Sequence, residues 1–293
     1  MTATIAGQLL ILGLLLGGVY ALMSSGLTLL FGVMRVVNLA HGAFIVLAAY
    51  FSFFMWDLIG IDPLISMLVA IPLFFLVGVA IYRILFPRIE GSPRFTEMTV
   101  LMTFGLAFIA EGLMSYYFTG IFRSASPSYA RASFSFGDFF VPKGQLYAAL
   151  VSGALLVALW AFLKFTRIGY GVRATMQNRD AAQIVGVDVR RVSTISFGIG
   201  MALAGAAGAL ISFIFPFFPA RHWQWIAILL ALVVLGGMGS LKGAVVGALG
   251  LAVVASFVSH VIGAVWAPIT FFGALFLMLM IRPQGLFGQK VRA

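Results

Sequence analysis

Seven stretches of this sequence, residues 1–34, 36–56, 63–82, 144–163, 192–220, 222–241 and 243–281, contain no Asp, Glu, Lys or Arg. A helix needs about 20 apolar residues to cross about 30 Å of hydrocarbon, so each run is long enough for one crossing and 243–281 for two. An eighth run, 98–122, is interrupted by Glu111 alone. Hydrocarbon gives the backbone no hydrogen-bond partners, and these runs do not alternate apolar with polar as barrel strands do, so helices are the solution. With 62% hydrophobic and 9% charged residues, too little polar surface is left for a water-soluble domain. The expected fold class is therefore all-α, a polytopic helical membrane protein.

The expected spans are 7–32, 40–57, 63–85, 98–119, 145–163, 193–214, 224–238, 243–260 and 265–281. The segment 224–238 is short and runs into Gly236-Gly237-Met238-Gly239-Ser240. That leaves eight or nine transmembrane helices, with a re-entrant or broken helix as the alternative for this one. No basic residue precedes Arg35, so the first run lacks the charged start of a cleaved signal and reads as a retained helix. With the N-terminus outside, 14 of the 18 basic residues fall inside, from Arg35 through Lys290 and Arg292. Only Arg123, Arg131, Lys143 and Arg221 fall outside, which the positive-inside rule favours over the reverse. The expected location is the bacterial inner membrane, with the C-terminus cytoplasmic. Residues 1–293 read as a single transmembrane domain with an outer loop, 120–144, and an inner loop, 164–192. All five Trp residues (56, 160, 223, 225 and 266) fall near span ends, where amphipathic rings settle.

The net charge of +10 comes from residues scattered at helix ends rather than one patch, so no nucleic-acid partner is expected, only membrane lipid. There is no cysteine, and the three histidines are too dispersed for a metal site. No acid–base or nucleophile constellation shares one depth, so no catalytic residue is assigned. Small residues recur at Gly200–Gly208 and Gly243–Gly250, where they permit close helix packing or a sliding surface. A short likeness links 32–44 to 237–245, which leaves an internal repeat open.

The inner loop holds good helix formers over 173–185, with Gly186 as the stop. A short polar helix between two spans suits either docking of a soluble partner or a plain connection. Asp180-Ala181-Ala182-x-x-x-Gly186 resembles the Glu-Ala-Ala-x-x-x-Gly coupling loop of ATP-binding-cassette (ABC) importer permeases, with Asp for Glu and without the Ile-x-Leu-Pro continuation. Gly26–Gly42, Gly236–Ala244 and Arg282–Gly288 resemble, in order, blocks of the branched-chain amino acid permeases, specifically the H-type member of the pair.

That resemblance implies an assembly. It comprises a second homologous permease (M-type), two cytoplasmic ATPases docked on the coupling loop (Arg173, Arg179, Asp180, Ala181, Ala182, Gly186, Asp188), and an external binding protein. ATP and Mg would sit on the ATPases, and none would be bound by this chain. The absence of a Gly-x-x-x-x-Gly-Lys-[Ser/Thr] P-loop agrees with that.

Candidate path residues are Asn38, His41, Gly42, Glu111, Gly237, Gly239 and Ser240. An intramembrane carboxylate is expensive, so Glu111 reads either as a path residue or as a structural acceptor. Asn38 and His41 read as structural groups at the inner interface or as path residues at a helix break. Asp57, Asp62 and His260 read as interfacial, and Arg221 and His222 as outer-loop residues. The rival readings are an ion-coupled secondary transporter of a small organic solute, using Glu111, and a passive channel. Branched-chain or other small amino acids are the expected substrates, with urea, amides and aromatic acids as alternatives.

Overall fold

The computed structural model describes residues 2–282 and 284–288. Lys290 and Arg292, counted above on the inner side, lie outside the described residues. The helices in chain order are α1 (Ala3–Met34), α2 (His41–Ile59), α3 (Pro63–Leu85), α4 (Phe95–Phe118), α5 (Lys143–Phe165), α6 (Arg167–Gln177), α7 (Arg179–Ile184), α8 (Val189–Ile214), α9 (Arg221–Gly236), α10 (Leu241–Val261) and α11 (Ala267–Ile281). Eight of the described helices are long and apolar enough to cross a membrane, counting α11 from Ala264, and α9 is shorter. The all-α expectation stands, with one addition. Segment 120–144 carries a two-stranded hairpin, β1 (Ser133–Phe136) and β2 (Phe139–Pro142), closed by Gly137 at a φ of 58°. A glycine in a two-residue loop matches the twist of paired strands.

The hairpin marks one face of the molecule. Gln8, near the start of α1, donates from Nε2 to the Phe140 carbonyl and accepts from the Phe140 nitrogen. The opposite face, here the basic face, carries Arg83, Arg88, Arg94 and the 164–192 segment. Asp62 caps α3 on the hairpin side, accepting from the Leu64 nitrogen at 2.8 Å and from the Tyr129 hydroxyl at 2.9 Å, which ties the 120–144 segment to the bundle.

Helix α8 is the axis of the bundle and packs against α3, α2 and α1. It holds that place because it is built from small residues, so backbones approach where larger side chains would hold them apart. Gly200 faces Gly26 and Leu30 of α1, Gly205 faces Ala70 and Phe74 of α3, and Gly208 faces Ile45 and Ala48 of α2. The second small-residue face, on α10, meets Leu235 and Gly236 of α9 through Gly243 and Gly247, while a Cβ at Gly250 would meet none of the described residues within 4 Å. Both faces therefore serve bundle packing. The two segments that share the likeness, 32–44 and 237–245, touch each other, since Gly32 packs directly on Gly239.

A Cβ added at Gly205 would stand 2.9 Å from the Phe74 Cβ, and one added at Gly250 would find open space. Gly205→Leu should therefore destabilise the purified protein by about 1–3 kcal/mol, the usual range for an overpacked core. Gly250→Leu should leave the melting temperature in detergent unchanged, and equal effects of the two would contradict this packing.

Candidate functional site

Two helices of the bundle begin inside the membrane rather than at its surface. Helix α1 ends at Arg35, which takes a left-handed φ of 55°, and the chain then turns back before starting α2 at His41. The His41 Nε2 lies 3.1 Å from the Met23 carbonyl. Met23 precedes the end of α1 by 11 residues, about 16 Å at 1.5 Å per residue, which is close to half the hydrocarbon thickness. Asn38 agrees with this depth, because its Nδ2 is 3.9 Å from the sulfur of Met201, midway along α8. These two groups therefore sit near the membrane centre and not at the inner interface. Both are buried, and among the described residues Asn38 Oδ1 and His41 Nδ1 have no partner.

Helix α9 starts at the same depth from the other side. The Gly42 backbone meets the α9 N-terminus so closely that a Cβ there would stand 2.7 Å from the His222 carbonyl oxygen and 3.3 Å from the Ile226 nitrogen. The chain reaches this point from the hairpin face through extended residues after α8, where Phe217 pairs with Arg123 through two 2.9 Å backbone hydrogen bonds. The break before α2 is held comparably. The Thr103 hydroxyl of α4 donates to the Val37 carbonyl and accepts from the Leu39 nitrogen, each at 3.2 Å. Non-helical backbone is tolerated at membrane depth only where such partners exist.

Glu111, in α4, is anchored at this junction. Its Oε2 accepts a 2.9 Å hydrogen bond from Trp223 Nε1 and lies 3.1 Å from His222 Nε2. His222 is wholly buried, while the Glu111 side chain keeps 20% of its surface exposed. Two expectations are corrected here. His222 is not an outer-loop residue, and Trp223 and Trp225 do not mark an interface. All three lie in the first turn and a half of a helix that begins at mid-depth. The sequence signal for this was the short length of 224–238 and the Glu111 interruption, but nothing in it joined the two. Arg221 opens the same helix, its guanidinium 5.8 Å from the Trp225 ring centre.

Gly237, Gly239 and Ser240 are not brought to this junction. They form the turn from α9 to α10 at the basic face, with φ values of 98° and 84° at the two glycines and Ser240 Oγ accepting from the Gly243 nitrogen at 3.1 Å. The C-terminal segment covers that turn, Leu286 and Phe287 donating to the Leu235 and Gly236 carbonyls.

The coupling-loop candidates form a separate structure on the basic face. The single helix expected over 173–185 is two, α6 and α7, because Asn178 adopts an extended backbone and its Oδ1 accepts from the Asp180 and Ala181 nitrogens at 3.0 Å. An Asn side chain competes with the helix it interrupts and caps the one that follows. Gly186, at a φ of 86°, ends α7, and the Val187 nitrogen donates back to the Ala182 carbonyl at 2.9 Å. Asp188 then caps α8 through the Arg191 nitrogen. Ala182 packs inward, Arg173 and Asp180 point outward, and Arg179 pairs with Glu90 at 3.0 Å. Ile184 and Val185 are 86% and 76% exposed.

A double-mutant cycle checks the Glu111 anchor. Glu111→Gln and Trp223→Phe should couple by about 1 kcal/mol in thermal stability, the scale of one hydrogen bond within a membrane. Strictly additive effects would mean that the bond is absent.

Comparison with known proteins agrees with this architecture. Residues 9–282 match the family model described as branched-chain amino acid transport system / permease component. The high-affinity branched-chain amino acid transport system permease protein BraD of Pseudomonas aeruginosa is 27% identical over 296 residues, covering 96% of this chain and 95% of BraD. LivH of Escherichia coli K12, a permease protein of the same kind of system, is 26% identical over 301 residues, covering 94% of each chain. LivM of that organism is 29% identical over 157 residues, 52% of this chain and 36% of LivM. A chain of the solved structure of PsaBC from Streptococcus pneumoniae in complex with Fab superposes with a TM-score of 0.51 at 14% identity, covering 93% of this chain and 91% of that one, a likeness of fold alone. The chain belongs to the family of branched-chain amino acid transport system permease components, and is a transport subunit rather than an enzyme.

Proposed function

We propose that this chain is the H-type permease of an ABC importer, moving branched-chain or other small amino acids delivered by an external binding protein. Its basic face is cytoplasmic and its N-terminus external. It pairs with a second permease of the M type, and two ATPases, which carry the ATP and Mg, dock on α6 and α7. The observation that carries the coupling assignment is the exposed pair Ile184 and Val185, on a short capped helix beside the Arg179–Glu90 pair. Large apolar side chains so exposed on a polar segment suit burial by a partner. The likeness to LivM over half the chain supports pairing of two homologous permeases.

The translocation path runs by the mid-depth junction. A carboxylate near the bilayer centre costs about 3 kcal/mol, and two intramembrane hydrogen bonds of roughly 0.6–1.7 kcal/mol each return about that much. Glu111 thus contributes little net stability, and its partly exposed carboxylate is better placed to meet a solute than to hold the fold. Broken helices near the membrane centre are where many transporters bind their substrates.

A tagged chain recovered from native membrane should bring down two ATPases and a second permease. Gly186→Trp with Asp180→Arg should insert normally and lose the ATPases. Recovery of the wild type alone, or only with itself, would overturn the importer reading and return Glu111 to an ion-coupled carrier. In the reconstituted importer, Glu111→Gln should lower amino-acid uptake at least tenfold while the complex stays assembled. Unchanged uptake would remove Glu111 from the path.

A further inference from the structure

A groove of about 380 Å³ opens on the outer surface of the bundle between α1, α5 and α10. Its walls are Leu156, Leu159 and Leu163 of α5 and Leu241, Val245 and Val246 of α10, with Ser25 of α1 at its floor. Along α5 it runs from Leu156 to Leu163, with Lys164 next in sequence. Those eight steps from Leu156 to Lys164 span about 12 Å, most of the roughly 15 Å depth of one leaflet. Its walls are apolar over that depth, and its mouth is cationic. Lys242 lines the mouth from the first turn of α10. Lys164 Nζ stands 4.7 Å from the centre of the Trp160 ring, which is itself part of the groove. Both lysines are exposed, and among the described residues neither lies within ion-pairing distance of a carboxylate.

We propose that this groove holds one acyl chain of an anionic phospholipid from the basic-face leaflet, with its phosphate bound by Lys164 and Lys242. A helix of a second protein would find the apolar wall but leave two lysines without counter-charge at its rim. A phospholipid satisfies both, because its chain follows the groove and its headgroup lies at the depth that lysines reach. A zwitterionic lipid fills the same groove but brings its own positive charge to the lysines. Glu111 and α7 take no part in this site.

The test is native mass spectrometry of the full chain released from nanodiscs of phosphatidylcholine with one-fifth phosphatidylglycerol. The wild type should retain one lipid, and that lipid should be phosphatidylglycerol in roughly nine molecules of ten, the about thirtyfold preference over phosphatidylcholine that two lysines at a membrane surface would give. Lys164→Gln with Lys242→Gln should abolish the enrichment without changing the melting temperature. Val246→Trp should fill the groove and release lipid of either kind, while Arg94→Gln, on the same face, should change nothing. Enrichment that survives the double lysine variant would overturn the site. So would lipid retained in proportion to the mixture, or a wild type that carries no lipid and dimerises through a face that Val246→Trp disrupts.

Discussion

Close backbone approach along α8 is the constraint on which the rest of the bundle depends. Three neighbouring helices reach it because Gly200, Gly205 and Gly208 present no side chain toward α1, α3 and α2 in turn. Apolar side chains gain nothing by leaving lipid for one another, so shape and dispersion hold such a bundle together. With α8 fixed, the starting depths of α2 and α9 follow. Helix α2 begins level with Met201 through Asn38, and α9 begins where its backbone meets Gly42.

Interrupting two helices at mid-depth exposes backbone that lipid cannot satisfy, and the chain solves this twice with different chemistry. At the first break a single hydroxyl, Thr103, serves both a carbonyl and an amide. At the second, a two-residue strand pairing between Phe217 and Arg123 takes its place. The long helix, the break and the restarted helix thus occur as α1–α2 and again, inverted, as α8–α9. That geometric echo pairs different segments from the likeness between 32–44 and 237–245 that the sequence suggests.

Charge-free runs were a good guide to the helices because a membrane span has to be long and uncharged whatever its neighbours do. Every expected span corresponds to a helix, with ends moved by a few residues. The brevity of 224–238 also signalled the partial span that α9 proved to be. What could not be read was depth. A run beginning after Arg35 looks the same whether its helix starts at the surface or 16 Å inside, and the difference rests on contacts such as His41 with Met23 that join distant parts of the chain. His222 and Trp223 were misplaced for the same reason. The 173–185 helix failed locally instead, because Asn178 had a capping role that helix propensity alone does not report. The hairpin at 133–142 went unread because its aromatic residues resemble any interfacial loop.

Helix α9 is 16 residues long, about 24 Å, and both its ends are pinned. At one end His222 and Trp223 grip Glu111, and at the other Gly236 lies against Gly243, beside the Gly239 turn on which Gly32 rests. Met176 of α6 touches Gly32 as well. A helix of this length is stiff along its axis, a rod that fixes the distance between its two seats. The seam beside the lower end leaves no room for a side chain: a methyl group added at Gly32 would press on Met176 and stand 3.2 Å from the Gly239 Cα, so it would wedge apart the contact that seats the rod.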